Sequence, residues 1–219
     1  MRDFVVHSIP GSPYGRAVMV ALEEKGIAYR LAALTAGAHR QAGHLSRHPF
    51  GKVPVLEHGE FSLYETQAIL RYIDRILQEP ALTPEGAKEA ARMDQVMNIT
   101  DCYFFRGVGN VIAFERVVGP ALMGKTPDEA AIAEAMPAGK LVFGELAKLL
   151  GEKHFFGGAK VSLADVMLAP HMDFFTGIPE WKELAGPHAN VQMWMARMND
   201  RASMQATTWP KVAAMAKAA

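Results

Sequence analysis

Ser12 is the first residue whose type and place suggest chemistry. It follows a short β-type run, Phe4 to His7, that Pro10 and Gly11 stop, and it opens a helical run whose first position is Pro13. A hydroxyl placed there can donate to an anion, while the exposed N–H groups and the positive end of the helix dipole stabilise the same charge. The position equally suits an ordinary helix cap. Thr66 repeats the arrangement at the start of another helical run, directly after Glu65. His39, Arg40 and Lys52 offer cationic donors of the kind a carboxylate prefers, and residues of these types are also at home in a solvated loop.

Other chemistries are poorly supplied. His39, His44 and His48 lie close in sequence, yet no cysteine or carboxylate completes a metal-ligand spacing, so no metal site is expected and the histidines read as surface residues. Cys102 is the one cysteine, which excludes an internal disulfide and a Cys-x-x-Cys redox pair. In a helical run it reads as a small buried apolar group.

The elements that must position these residues follow from periodicity. After β-type Phe4–His7 and the helix from Ser12 to Gly26, Tyr29 to Leu34 reads as a second strand. A loop with Gly37, His39, Arg40 and Gly43 leads to two short strands, 54–56 and 61–64, around a glycine-containing turn. From Thr66, apolar Ile69, Leu70, Ile73 and Ile76 fall on one helix face that ends before Pro80. Beyond Pro84 alternation disappears, and helical runs follow, punctuated at Gly107–Gly109, Thr126–Pro127, Gly157–Gly158 and Gly186–Pro187. That shift divides the chain into residues 1–80, a linker at 81–86 and an all-helical domain at 87–219. Thr126 to Glu129 and Ser162 to Asp165 are helix starts, the latter a capping-box variant.

Composition bounds the partners. With 219 residues, 50% hydrophobic and 21% charged, the chain buries a substantial core. Its 23 basic and 23 acidic residues leave no net field to recruit nucleic acid or an anionic membrane. No signal-peptide pattern opens the sequence, no apolar run approaches the ~18 residues of a membrane span, and the single cysteine makes a reducing cytoplasm the default.

Three segments, GSPYGR over 11–16, HPFGKVPVL over 48–56 and LYETQAI over 63–69, occur in the order found in cytosolic glutathione transferases. FGGAKVSLAD over 156–165 resembles the capping motif of that family's helical domain. Each piece is weak alone; together they cover essentially the whole chain, and the chain resembles the serine-type, phi-like and bacterial members. His48 stands where the family usually has asparagine, and Thr66 where many members have serine.

The resemblance implies an α/β plus all-α architecture: a thioredoxin-like βαβαββα domain followed by an all-helical domain, usually as a homodimer. It implies glutathione as cosubstrate, with no metal or prosthetic group, and a small hydrophobic electrophile as its acceptor. Ser12 matches the family's catalytic serine. An unperturbed thiol, with pKa about 8.5, is only a few per cent ionised at neutral pH. One hydrogen bond to a charged group, at roughly 1.5–3 kcal/mol, lowers that pKa by about one to two units. Tyr14 is a second hydroxyl in the segment. The resemblance further implies a cis peptide before Pro54 that turns the Val53 N–H and C=O toward the cysteinyl backbone, with Lys52 beside it. Glu65 and Thr66 match positions for the γ-glutamyl end, and His39 and Arg40 match positions for the glycyl carboxylate, where Lys52 is a further candidate. The same thiolate also serves reduction of organic hydroperoxides. A non-catalytic glutathione-transferase-like binding domain is the alternative from another class, against which Ser12, Pro54 and Glu65–Thr66 argue.

Overall fold

The short β-type run at the start of the chain is strand β1, Phe4–Ser8, buried along its whole length. In the computed structural model, which describes residues 3–35 and 37–218, β1 lies inside a four-stranded sheet of order β2-β1-β3-β4. Here β2 is Tyr29–Ala33, β3 Val55–His58 and β4 Phe61–Tyr64. β2 runs parallel to β1, whereas β3 is antiparallel to β1 and β4 to β3. A parallel neighbour demands a crossover, which helix α1, Pro13–Glu24, provides. The β3–β4 pair needs only the turn at Gly59 and Glu60, where Gly59 takes φ 62°.

Helix α1 buries Ala17, Val18, Val20, Ala21 and Leu22 completely, and helix α3, Thr66–Ile76, buries Ile69, Leu70 and Ile73, one stripe of a 3.6-residue period. The segment expected as a loop between β2 and β3 instead forms a 3₁₀ turn, Ala38–Arg40, and a four-residue helix α2, Ala42–Leu45. The resulting β-α-β-α-β-β-α succession is the thioredoxin-like one.

The chain divides into two compact units, residues 1–81 with 199–219, and residues 82–198. The terminal residues thus depart from the sequence-based division, which places everything after residue 86 in one helical domain. Polar ties to α1 explain their place. Arg16, buried, donates to the Met204 carbonyl at 3.2 Å and the Thr207 hydroxyl at 3.5 Å, while Arg201 and Ser203 both donate to the Glu24 carboxylate. Ser203 and Met204 lie on helix α10, Ala202–Ala206, with Arg201 and Thr207 as its two caps, and α11, Trp209–Ala218, follows (α4 to α9 precede them in the other unit).

The other unit is helical. Its elements are α4 (Ala87–Ile99), a π-helical stretch (Thr100–Val118), α5 (Gly119–Met123), α6 (Glu129–Leu150), α7 (Leu163–Asp173), α8 (Glu180–Leu184) and α9 (Ala189–Asn199). Gly107 and Gly109 do not interrupt it as the sequence suggests. Thr100, Phe104, Val108 and Ile112, each four residues apart, are all fully buried. Phe104, Phe143 and Phe175 meet with centroids 5.3–5.9 Å apart, an edge-and-tilt aromatic cluster. Cys102, expected inside, is exposed.

At the head of α7, Ser162 and Asp165 complete the capping box. The Asp165 carboxylate accepts from the Phe156 and Ser162 N–H groups and the Trp194 indole, each at 2.8 Å, and from the Ser162 hydroxyl at 2.7 Å. Among the described residues, no helix is long and apolar enough to cross a membrane.

Candidate active site

Strand register brings the chemically interesting residues to one edge of the sheet. His7 on β1 pairs with Val55 on β3, Val55 with Tyr64 on β4, and Ser8 with Ala33 on β2. The row marks the C-terminal ends of β1, β2 and β4 and the N-terminal end of β3. From it the chain continues to Ser12, to the 3₁₀ turn bearing His39 and Arg40, back to Val53–Pro54, and to Glu65–Thr66. The Val53–Pro54 peptide bond is cis.

Ser12 is the N-cap of α1, with φ −68° and ψ 121°. Its hydroxyl accepts from the Gly15 N–H at 3.2 Å, and a hydroxyl that accepts still has its own proton to donate. Neither α1 nor α3 carries an acidic residue in its first turn, so no side-chain carboxylate of those turns offsets the positive end of either dipole. Glu65 precedes α3 with φ 70° and ψ 112°, a sparsely populated region for a residue with a Cβ that costs of order 1–3 kcal/mol. Thr66 behind it is buried, whereas the Glu65 side chain is exposed.

The segment before Pro54 is held from α2. His44 donates its Nε2–H to the Lys52 carbonyl at 2.6 Å, which fixes the backbone just ahead of Val53. His44 and His48 are 3% and 2% exposed, so neither is the surface histidine expected from sequence. The His48 ring tilts against the Tyr64 ring, centroids 4.7 Å apart, directly before Glu65. Burial pushes His48 below the ordinary imidazole range; His44 and Lys52 add to this and Glu65 opposes it. His39 is likewise lowered, first by burial and then by Arg40 and His44. The signal that could have found His44 and His48 is their four-residue spacing, which aligns two rings on one face of a helical turn. Arg40 and Lys52 have exposed side chains. No group of three or more His, Cys, Asp or Glu that could hold a metal ion occurs among the described residues.

Family models for the N-terminal and C-terminal domains of glutathione S-transferase match residues 6–81 and 122–197. Glutathione S-transferase F7 of Arabidopsis thaliana is 30% identical over 207 residues, covering 93% of this chain and 98% of that one. The chain belongs to the glutathione transferase family. Glutathione S-transferase 4 of Zea mays is 34% identical over 157 residues, covering 71% of this chain and 70% of its own. Among solved structures, glutathione S-transferase-I bound with lactoylglutathione superposes with a TM-score of 0.83 at 26% identity, covering 97% of this chain and 99% of its own. A theta-class transferase from Xanthomonas axonopodis pv. citri with glutathione bound gives 0.80 at 26% identity, covering 94% and 96%. This glutathione transferase is phi-like, and its fold is the family's: a thioredoxin-like sheet domain followed by helices.

Of the residues singled out from sequence, the transferase gathers Ser12, Val53, Pro54, Glu65 and Thr66 on the described sheet edge, with His39, Arg40 and Lys52 on the connections around it. Sequence reasoning took two neighbours, His44 and His48, for surface residues and missed a third, Trp209, at the far end of the chain. A Cβ at Gly11, which has φ 96°, would stand 2.0 Å from the Trp209 ring.

Proposed function

We propose that this glutathione transferase binds glutathione along the sheet edge, ionises its thiol beside Ser12 and transfers the thiolate to a small hydrophobic electrophile. The carrying observation is the Ser12 hydroxyl at the N-cap of α1, on the same edge as cis-Pro54 and the Glu65–Thr66 entry to α3. Ser12 donates its O–H to the sulfur, the thiol proton leaves to solvent, and the sulfur lone pair forms the new S–C bond. At a saturated or aryl carbon the leaving group departs with the bonding pair; at an activated alkene the π pair moves onto the acceptor, which takes up a proton from solvent. No protein group becomes covalently attached.

Val53 offers its N–H and C=O to the cysteinyl backbone in the manner of an added strand. The Thr66 amide and hydroxyl hold the γ-glutamyl carboxylate at the positive end of α3, with Glu65 taking the adjacent amine. His39, Arg40 and Lys52 receive the glycyl carboxylate. Glutathione is a consumed cosubstrate, and no metal takes part. A homodimer belongs to the same reading, with Phe50, 69% exposed, offering apolar surface to a second copy. A cytoplasmic setting keeps the exposed Cys102 thiol reduced.

Calorimetric titration with glutathione, paired with conjugation of a chloronitroaromatic acceptor, tests the reading. Saturable uptake, with turnover that falls at least ~10-fold in Ser12→Ala at near-constant glutathione affinity, is expected from the loss of one charged hydrogen bond. No uptake by folded protein would end it.

A further inference from the structure

Position 12 is gripped on both sides by the far end of the chain. On its N-terminal side, the Trp209 indole lies so close to Gly11 that a Cβ there would meet Cη2 at 2.0 Å, Cζ2 at 2.4 Å and Cζ3 at 2.5 Å. Only a glycine, and one at φ 96°, lets ring and backbone come together this way. On its C-terminal side, one turn into α1, buried Arg16 donates to the Met204 carbonyl and the Thr207 hydroxyl. A third close approach lies beneath, where a Cβ at Gly15 would stand 1.9 Å from the Ser8 hydroxyl oxygen. Gly15 is also the residue whose N–H holds the Ser12 oxygen.

The Ser12 backbone is tied into the turn, its N–H donating to the Ile9 carbonyl at 3.0 Å and its carbonyl accepting from the Arg16 N–H at 2.9 Å, but its side chain is weakly held. The residue is half-buried, and its side chain has the one 3.2 Å bond from Gly15. A rotamer or backbone shift of a few tenths of an ångström at residue 11 therefore passes straight to the hydroxyl, whose hydrogen bond to an anion weakens steeply as the donor angle opens. The residues that could resist such a shift are those packed on the turn.

We infer that Trp209 is a positioning residue for the reaction: its ring braces the Gly11 backbone so that the Ser12 O–H stays aimed at the glutathione sulfur. Residues 199–218 are, on this inference, a working part of the glutathione-binding unit, consistent with their grouping with residues 1–81. The role goes beyond stability. A brace acting only on the fold lowers the melting temperature and leaves the thiol's ionisation alone; a brace on the hydroxyl changes the pH at which the bound thiol ionises.

The inference rests on the proposed thiolate role of Ser12, and the test separates the two. The pH dependence of kcat and the KM for glutathione are measured for the unsubstituted enzyme and for Trp209→Ala, Trp209→Leu and Trp209→Phe, each with its melting temperature. In Trp209→Ala the acid limb of kcat moves up by about one pH unit, a roughly tenfold loss at fixed pH below it. That loss fades at high pH where the thiol ionises unaided, and KM for glutathione stays within about twofold, since no carboxylate contact is removed. Trp209→Phe, which restores a flat ring against Gly11, recovers most of the shift, and Trp209→Leu recovers less. If Trp209→Ala does not fold, the graded Leu and Phe limbs carry the result. Acid limbs that coincide across the folded variants, with only the melting temperature lowered, overturn the inference. An unsubstituted enzyme whose kcat has no thiol-like acid limb removes the thiolate reading itself, before any Trp209 variant is compared.

Discussion

Ser12 and Ser162 occupy the same position, the N-cap of a helix, one in each compact unit. Their third helical residues differ. At the head of α7 that residue is Asp165, whose carboxylate returns to the Ser162 N–H and hydroxyl and also receives Phe156 and Trp194. At the head of α1 it is Gly15, where even a methyl group would strike the Ser8 hydroxyl, so no carboxylate can complete a box. Ser162 is buried at 1% exposure in a closed network, whereas Ser12 is half-buried with one long bond. A serine cap becomes available to an exogenous anion when its helix lacks the reciprocal acid. The same absence that weakens the cap suits it to a thiolate.

Removing Asp165 gives the largest effect expected. Asp165→Ala leaves the Phe156 and Ser162 N–H groups and the Trp194 indole buried without an acceptor, each costing about 1–3 kcal/mol. We expect a loss near 3–5 kcal/mol, a large part of the ~5–15 kcal/mol margin of a typical fold, read by urea melting. Asp165→Asn fares little better, because its amide presents N–H donors to a ring of donors.

Next comes Ser12→Ala, which inverts the pattern. Turnover falls ~10- to 100-fold, corresponding to ~1.5–3 kcal/mol, while stability drops by only ~1 kcal/mol from the lost cap. Steady-state kinetics beside thermal melting separates the two numbers. A variant that loses stability but not turnover would make Ser12 the counterpart of Ser162.

Acid sensitivity is assigned to the helical unit. His171 is buried and donates to the Met167 carbonyl; burial lowers it from about 6.5 to about 4, against Met167 and Asp101, which pull upward. A histidine lowered in the folded state favours unfolding when protonated. Its contribution is complete above pH 6.5 and is lost as pH falls toward 4, at about 1.4 kcal/mol per pH unit. Melting curves from pH 7 to pH 4 should show that slope, and His171→Gln should flatten it.

The smallest effect belongs to Ser162→Ala. It keeps the Asp165 contacts to Phe156 and Trp194, loses about 1 kcal/mol of stability, and leaves turnover unchanged.

Much of this contrast was legible in the sequence. Short β-type runs bounded by turn residues placed all four strands, the stripe at Ile69, Leu70 and Ile73 placed α3, and Ser162 with Asp165 announced the box three residues apart. Ser12 and Thr66 stood out because capping chemistry is local. Gly107 and Gly109 misled, since glycine reads as punctuation while a four-residue buried row outweighs its cost when the core demands continuity. His44 and His48 were hidden because whether a polar ring is buried depends on the strand it meets, here through Lys52 and Tyr64. Trp209 was the least legible, because its partner Gly11 lies at the opposite end of the chain.

The central claim is that the Ser12 hydroxyl holds glutathione as an anion. Ultraviolet titration of the thiolate band of enzyme-bound glutathione, with Ser12 and with Ser12→Ala, tests it most directly. The bound thiol should be half-ionised about one to two pH units below the free peptide in the first protein, and should return to the ordinary thiol range in the second. An equally low midpoint in both proteins would contradict the claim.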